Sequence, residues 1–484
     1  MLNRREFIGT TFGLAAAVSM SGGSISGAPA DPNKGKRRIL RASGLKIVEG
    51  DTPVRLRGIN LGGWMLIEDY MVGLPWTEWK IREGFRRVLG EAPASAFFEA
   101  WADSYVTEKD VEFLARRGFT FTRLPVNYRQ FESDLDPGKW IEKGFRLLDR
   151  AVGLCRKYGL WILPDLHAAP GAQARDQNAG SAFGEAFLWN HREFMDRTAR
   201  LWGEIARRYR DDPTVMGYNV LCEPVVSDVN LLNDFYASAI RSIRTNDPHH
   251  LIVLDSNLWA KDVSSLRDPL FEDPQVIPAL HHYYFDDALF PRLVGYPGKV
   301  DGRTCDRAAL ERTLDNKHDQ QRIPRPVLVG EFGVTRSHPQ PYGIQLAIGR
   351  DLVSLFEEKG WGWAMWCYKD IRHMGLLTPR SDTPWRRFLD SEPVAGFLNR
   401  YAELETPFTE AVGRLFSETD IETDIREQWA REVRRDFDPP ALDYVLRRLR
   451  GRTPVELADM ARSFAFESCE IHRDQLGMLE PFLS

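Results

Sequence analysis

Three observations in the sequence predict a (β/α)8 TIM barrel with a C-terminal helical extension. Eight short apolar runs recur between about residues 54 and 366: RLRGINLGGW, FTFTRLPV, LWILPDLH, VMGYNVLCEP, LIVLDS, VIPALHHYY, PVLVGEF and GWAMWCY. Amphipathic segments with apolar residues three and four apart lie between them, as in residues 145–159 and 194–209. Nearly continuous apolar strands suit a parallel sheet buried on both faces. Polar residues then fall repeatedly at the C-terminal ends of the runs, where a barrel gathers its reactive groups. A doubly wound open sheet is the competing architecture.

In chain order, residues 1–30 read as an export signal. MLNRREF precedes the weakly apolar IGTTFGLAAAVSM, and the segment closes on Ala28-Pro29-Ala30. Arg4, Arg5 and Phe7 match a twin-arginine pattern, with Asn3 and Gly9 departing from it. An uncleaved anchor is the alternative, although the apolar run falls short of the roughly 20 residues a spanning helix needs. No later stretch is long and apolar enough to span, so the mature chain is expected to work outside the cytoplasm, periplasmic or beyond, with no membrane span. The barrel is expected over residues 31–395. A charged tail over 396–484 shows helical periodicity in FTEAVGRLFSE, IREQWAREVRR and LDYVLRRLR, and is expected to pack on the barrel or serve in assembly. The oligomeric state stays open.

Composition narrows the function. The 484 residues are 43% hydrophobic and 27% charged, enough for one large domain with additions or for two domains. A net charge of −5 offers no basic stripe, and KGKRR at 34–38 reads as solvated linker, so nucleic acid is not an expected partner. The five cysteines are scattered without CxxC spacing, so neither a disulfide framework nor a zinc site is indicated. His281 and His282 are adjacent, face opposite ways in a strand and cannot share one ion. No metal and no cofactor are expected.

The strand ends carry the chemistry: Arg123, His167, Glu223, His282, Tyr284, Glu331 and Trp366. Any one of these could be a cap or a surface charge. A barrel, however, would point Glu223 on the fourth strand and Glu331 on the seventh into one mouth. Paired carboxyls are what glycosidic bond cleavage requires, one protonated for the departing oxygen and one ionised to attack or to activate water. Proximity pushes their pKa values apart, so one fold supplies both roles.

RLRGINLGGWMLIE, TRLPV, DLHAAPGAQARDQNAG, the Glu-Pro of LCEP, HHYY, VLVGEFG and WCYKD together resemble glycoside hydrolase family 5 over about residues 54–390. The Leu-Gly-Gly-Trp and Asp-Leu-His stretches look most like its exo-β-1,3-glucanase branch. The resemblance implies a carbohydrate substrate and retaining double displacement, with Glu223 as acid/base and Glu331 as nucleophile. It also implies that Arg123 orients Glu331, that His167 and the His282–Tyr284 pair contact sugar and nucleophile, and that Trp366 stacks on the ring. His281 and Tyr283 are the alternative pair, since a one-residue slip of register exchanges the faces. Glu68 aligns with an acidic residue that binds sugar hydroxyls, and equally reads as an exposed loop carboxylate. Trp64, Trp76, Trp79 and Trp189 are further subsite or core candidates.

One position departs from the family. Asn usually precedes the acid/base and hydrogen-bonds the sugar 2-hydroxyl; here that place is Cys222, a weak donor. The change implies another sugar, another residue serving that hydroxyl, or lost activity, with Asn219 a nearby candidate. The functional expectation is therefore a retaining β-glycosidase acting on β-glucan or a related glycan. Its alternatives are a catalytically impaired carbohydrate-binding barrel and a family member specific for another glycoside, such as a glycolipid or furanoside.

Overall fold

A computed structural model describes residues 37–319, 321–403 and 437–483, with single positions between 403 and 437. The expected export segment lies outside the described residues, as do nearly all of FTEAVGRLFSE and IREQWAREVRR.

Each of the eight apolar runs contributes one parallel strand: β1 (Arg57–Asn60), β2 (Phe121–Asn127), β3 (Trp161–Ala168), β4 (Gly217–Asn219), β5 (Leu251–Asp255), β6 (Val276–His281), β7 (Leu328–Phe332) and β8 (Gly362–Met365). They pair in sequence order, and β8 pairs with β1 to close the barrel. Every residue of β2, β3, β5, β6, β7 and β8 is buried. Burial on both faces explains why these strands read as apolar runs without alternation. Most crossovers carry helices, among them Glu142–Tyr158, Arg192–Tyr209, Val229–Asn246, Arg307–Lys317 and Tyr342–Lys359. The β5–β6 crossover does not. It uses short turns at Asn257–Ala260, Val263–Ser265 and Asp268–Phe271, because that stretch lacks a helical apolar period and is broken by Pro269 and Pro274.

The barrel interior changes character along its axis. Its lower half is apolar, filled by Phe121, Trp161, Leu163, Val253, Ile277 and Ala364. Gly58 permits this packing, since a Cβ there would sit 2.4 Å from the Phe121 ring. An antiparallel hairpin of Leu40–Ser43 and Lys46–Glu49 closes the bottom, and Leu40 and Ile47 join the same cluster. The upper half is polar. Asn60, Arg123, Asp165, Asn219, Asp255 and His281 are all fully buried there. Groups of this kind stay inside only when hydrogen-bonded or paired with charge.

The C-terminal segment packs on the barrel's outer helices. Helix Asp438–Leu446 lies on Glu78–Leu89, Pro454–Ala461 on Glu91–Ser104, and Arg473–Leu483 on Tyr342–Lys359. Strand Cys469–Ile471 pairs with Leu377–Pro379. Leu442, Leu446, Met478 and Leu479 are buried in these contacts, each contributing on the order of 2 kcal/mol of transfer free energy. Helix Val394–Glu403 runs across the expected boundary at 395/396, preceded by helix Pro384–Leu389.

A buried lysine ties this segment to the barrel. Lys369 Nζ donates to the carbonyls of Tyr105 (2.6 Å) and Phe464 (2.9 Å) and pairs with Asp110 at 2.5 Å. Lys369→Met is expected to strand the Asp110 carboxylate in the interior and to destabilise the protein by about 3–5 kcal/mol. The check is the urea unfolding midpoint; an unchanged midpoint would show that the clamp carries no net stability.

Candidate active site

The polar upper half of the barrel lies at the C-terminal ends of the strands, and the two carboxylates meet there. Regular pairing in β4 ends at Asn219, earlier than the sequence suggested, but the chain continues in register. Val220 N–H donates to Val253 O and Cys222 N–H to Leu166 O, both at 3.0 Å. Glu223 then adopts φ 48°, a left-handed conformation that disfavours a side-chain-bearing residue. Its backbone N–H is held by Asp255 Oδ2 at 3.1 Å. Its carboxylate accepts from Asn178 Nδ2 at 2.7 Å and lies 2.9 Å from His281 Nδ1.

Glu331, near the end of β7, faces the same space. Oxygens of Glu223 and Glu331, together with a nitrogen of His281, lie within 4.8 Å of one another. Arg123 NH1 donates to Glu331 Oε1 at 2.9 Å, Cys222 Sγ approaches the same oxygen at 3.5 Å, and Tyr283 OH donates to Oε2 at 2.8 Å. Burial alone would raise the Glu331 pKa. The positive charges of His281, Arg123 and His167 outweigh that and the repulsion of Glu223, holding it below the usual carboxylate value.

Arg123 sits inside β2, within the strand rather than at its end, and is wholly buried. It donates to Asn219 Oδ1 and Asn60 Oδ1 at 2.9 Å each and pairs with Asp165 at 3.0 Å. His167 bonds Asp165 Oδ2 at 2.9 Å, lies 3.4 Å from Glu68, and stacks on Trp366 with ring centroids 5.1 Å apart and planes 10° apart. Trp366 Nε1 in turn bonds Tyr70 OH. Glu68 is therefore part of this cluster and not an exposed loop carboxylate. Burial opposes charging either histidine, yet the neighbouring carboxylates push His167 up to about 10 and His281 up to about 9. Cys222, 3.3 Å from Arg123 NH2 and 3.9 Å from His167 Nε2, is pushed up by burial and by Asp165 and Glu331, and stays a neutral thiol. With His167 holding its proton, Cys222, His167 and Asp165 do not form an activated thiol.

The structure corrects one pair. His282 and Tyr284 do not face the carboxylates; His281 and Tyr283 do. The parity is set lower in β6, where Ile277 and Ala279 point into the barrel interior, so that 281 continues on that face. Gly330 leaves room for it, since a Cβ there would lie 2.8 Å from His281 Nε2. His282 is buried on the other side, burial holds it neutral, and neither its ring nitrogens nor Tyr284 OH find a hydrogen-bond partner among the described residues.

Asn60, Asp165, Asp255, Asn178 and Tyr70 belong to the cluster and were not singled out in the sequence. Asp255 ends LIVLD by the same strand-end criterion as Glu223, and Asp165 lies two positions before His167 on the same face, so both were recoverable. Asn178 comes from a loop and Tyr70 from the single helical turn Asp69–Val72, where no periodicity marks them. Of the tryptophan candidates, Trp64 and Trp76 are core residues, and Trp79 is partly exposed. Three groups of side chains here approach closely enough to hold a metal ion. Arg123 already supplies positive charge to all three, through its contacts with Asp165, Glu331, Cys222 and Asp255.

A closed parallel barrel with two carboxylates this near at the C-terminal ends of its strands is the arrangement of a glycoside hydrolase. A family model for cellulases, glycosyl hydrolase family 5, matches residues 85–371, and the chain belongs to that family, for which a retaining mechanism is general. A β-xylosidase of Phanerodontia chrysosporium is 30% identical over 90% of this chain and 96% of its own. Endoglucanase C of Acetivibrio thermocellus is 26% identical over 65% of this chain and 91% of its own. A probable glucan 1,3-β-glucosidase A of Aspergillus niger is 26% identical over 57% and 64%. A crystal structure described as a glycoside hydrolase aligns with TM-score 0.51 at 20% identity, covering 65% of this chain and 89% of that one, a likeness of fold alone.

Proposed function

We propose that this protein is a retaining β-glycosidase for a β-glucan, β-xyloside or related glycoside, with Glu331 as nucleophile and Glu223 as acid/base. The observation that carries this reading is the close approach of the two carboxylates, within 4.8 Å between oxygens. Retaining enzymes hold these groups about 5–5.5 Å apart, whereas inverting ones leave about 6.5–9.5 Å for a water. Ionised Glu331 attacks the anomeric carbon while the bond to the departing oxygen breaks. Glu223 gives that oxygen its proton. A water then gives its proton to Glu223 and attacks the same carbon, releasing Glu331. Arg123 and Tyr283 hold Glu331 ionised and aimed, and Trp366, stacked on His167, offers an apolar face to the sugar ring.

Breadth of likeness orders the substrates. The resemblance to the β-xylosidase extends over 90% of the chain, while those to the glucan-cleaving relatives cover less of it. The test is a panel of β-xylosides, β-glucosides and β-1,3- and β-1,4-linked oligosaccharides, with the first-formed anomer read by NMR. A β product is expected. An α product would overturn the assignment of Glu331 as nucleophile, and binding without turnover across the panel would favour the impaired carbohydrate-binding barrel.

A further inference from the structure

Asp255 touches both halves of the acid/base apparatus, yet it lies on β5, a strand that supplies neither carboxylate. Its Oδ2 accepts the Glu223 backbone N–H at 3.1 Å and lies 3.2 Å from His281 Nε2. Its Oδ1 accepts from Asn219 Nδ2 at 2.9 Å. On the far side of the ring, His281 Nδ1 meets Glu223 Oε1 at 2.9 Å and Glu331 Oε2 at 3.6 Å. Asp255, His281 and the Glu223 carboxylate thus form a continuous buried line, and the same aspartate holds the Glu223 main chain in its left-handed turn. That conformation is strained for a residue with a side chain and persists only where the surroundings over-determine it.

We propose that Asp255 is a positioning residue for proton delivery, fixing the Glu223 backbone and, through His281, setting how tightly the Glu223–His281 pair keeps the proton that the leaving group takes. The inference rests on Glu223 being the acid/base. In glycosylation the Glu223 O–H bond breaks, the proton goes to the departing oxygen, and the C–O electron pair leaves with that oxygen. The water of the second step restores the proton to the pair.

The groups facing Asp255 are Asn219, Cys222 and Glu223 beside β4, Arg123 of β2 at 3.8 Å, Asp165 of β3 and His281 of β6. Tyr236 OH, from helix Val229–Asn246, bonds the Asp255 carbonyl. His281, Arg123 and Asn219 keep Asp255 ionised against its burial. Burial would lower His281, and Glu331 with Asp255 raise it to about 9. Neutralising Asp255 removes one raising neighbour, so the proton is lost at lower pH.

The experiment compares wild type with Asp255→Asn on two substrates sharing one glycone: an alkyl β-glycoside, whose leaving group needs a proton, and the 2,4-dinitrophenyl β-glycoside, whose leaving group does not. The alkaline limb of kcat/KM for the alkyl glycoside, expected near pH 9 in wild type, moves down by about one unit or more in the variant. The kcat/KM for the alkyl glycoside falls by on the order of 10²-fold, and that for the dinitrophenyl glycoside falls far less. In a His281→Asn background, Asp255→Asn moves the limb no further, and thermal melting confirms that each variant is folded. Equal losses on both substrates, or an unmoved limb, overturn the inference while leaving the glycosidase reading intact. Wild type that cleaves neither glycoside overturns both.

Discussion

Glu331→Ala is expected to lower kcat on aryl β-glycosides by on the order of 10⁵ or more, equivalent to about 7 kcal/mol of barrier. The residue supplies the atom that bonds to the anomeric carbon, so no neighbour substitutes: Arg123 and Tyr283 only donate to it, and Cys222 stays a neutral thiol. The variant is expected to fold, since Arg123 keeps Asp165 at 3.0 Å and both asparagine contacts. Added azide separates the two carboxylates. With Glu331 removed, azide enters from the vacated face in a single displacement and gives the α-glycosyl azide. With Glu223→Ala it intercepts the glycosyl-enzyme intermediate and gives the β-glycosyl azide. Wild-type rates in Glu331→Ala, or the same azide anomer from both variants, would remove the proposed assignment.

The second large effect concerns Arg123. Arg123→Met takes away the guanidinium that contacts Glu331, Asp165, Asn219, Asn60 and Cys222 and approaches Asp255 at 3.8 Å. Met fills a similar volume, so the loss is electrostatic. Breaking a buried pair by removing one partner costs about 3–5 kcal/mol, a large share of the about 5–15 kcal/mol by which domains are stable. The measurement is urea unfolding across pH. The deficit is expected to be largest at neutral pH, where the stranded carboxylates are ionised, and to shrink as pH falls and they take up protons. Arg123→Lys is expected to recover part of it, since one ammonium cannot reproduce the fork of donors. A deficit independent of pH would assign Arg123 a packing role instead.

The eight strands and the two carboxylates were legible because each needs only local information. A run of apolar residues buried on both faces, ending in a polar group, marks a barrel strand wherever it occurs, and Glu223, Glu331, His167 and Trp366 follow from that pattern. The choice between His281–Tyr283 and His282–Tyr284 did not follow. HHYY offers each residue type in both parities, and Val276 to Leu280 are apolar throughout, so no alternation reveals which face is inward. Asp255 carries the same strand-end signal as Glu223, but a single acidic strand end holds no information about its partners.

The sequence by itself determined that a ring of parallel strands forms and that acidic and basic side chains gather at one end of it, since strand burial and strand-end polarity are local, short-range properties. Only the tertiary structure decided which of two adjacent histidines enters the mouth and that β4 leaves regular pairing before Glu223. It also decided that Arg123 holds four strands' polar groups together. Those outcomes depend on which residues from distant parts of the chain come within a few ångströms inside a low-dielectric interior, where charge pairing outweighs local preference.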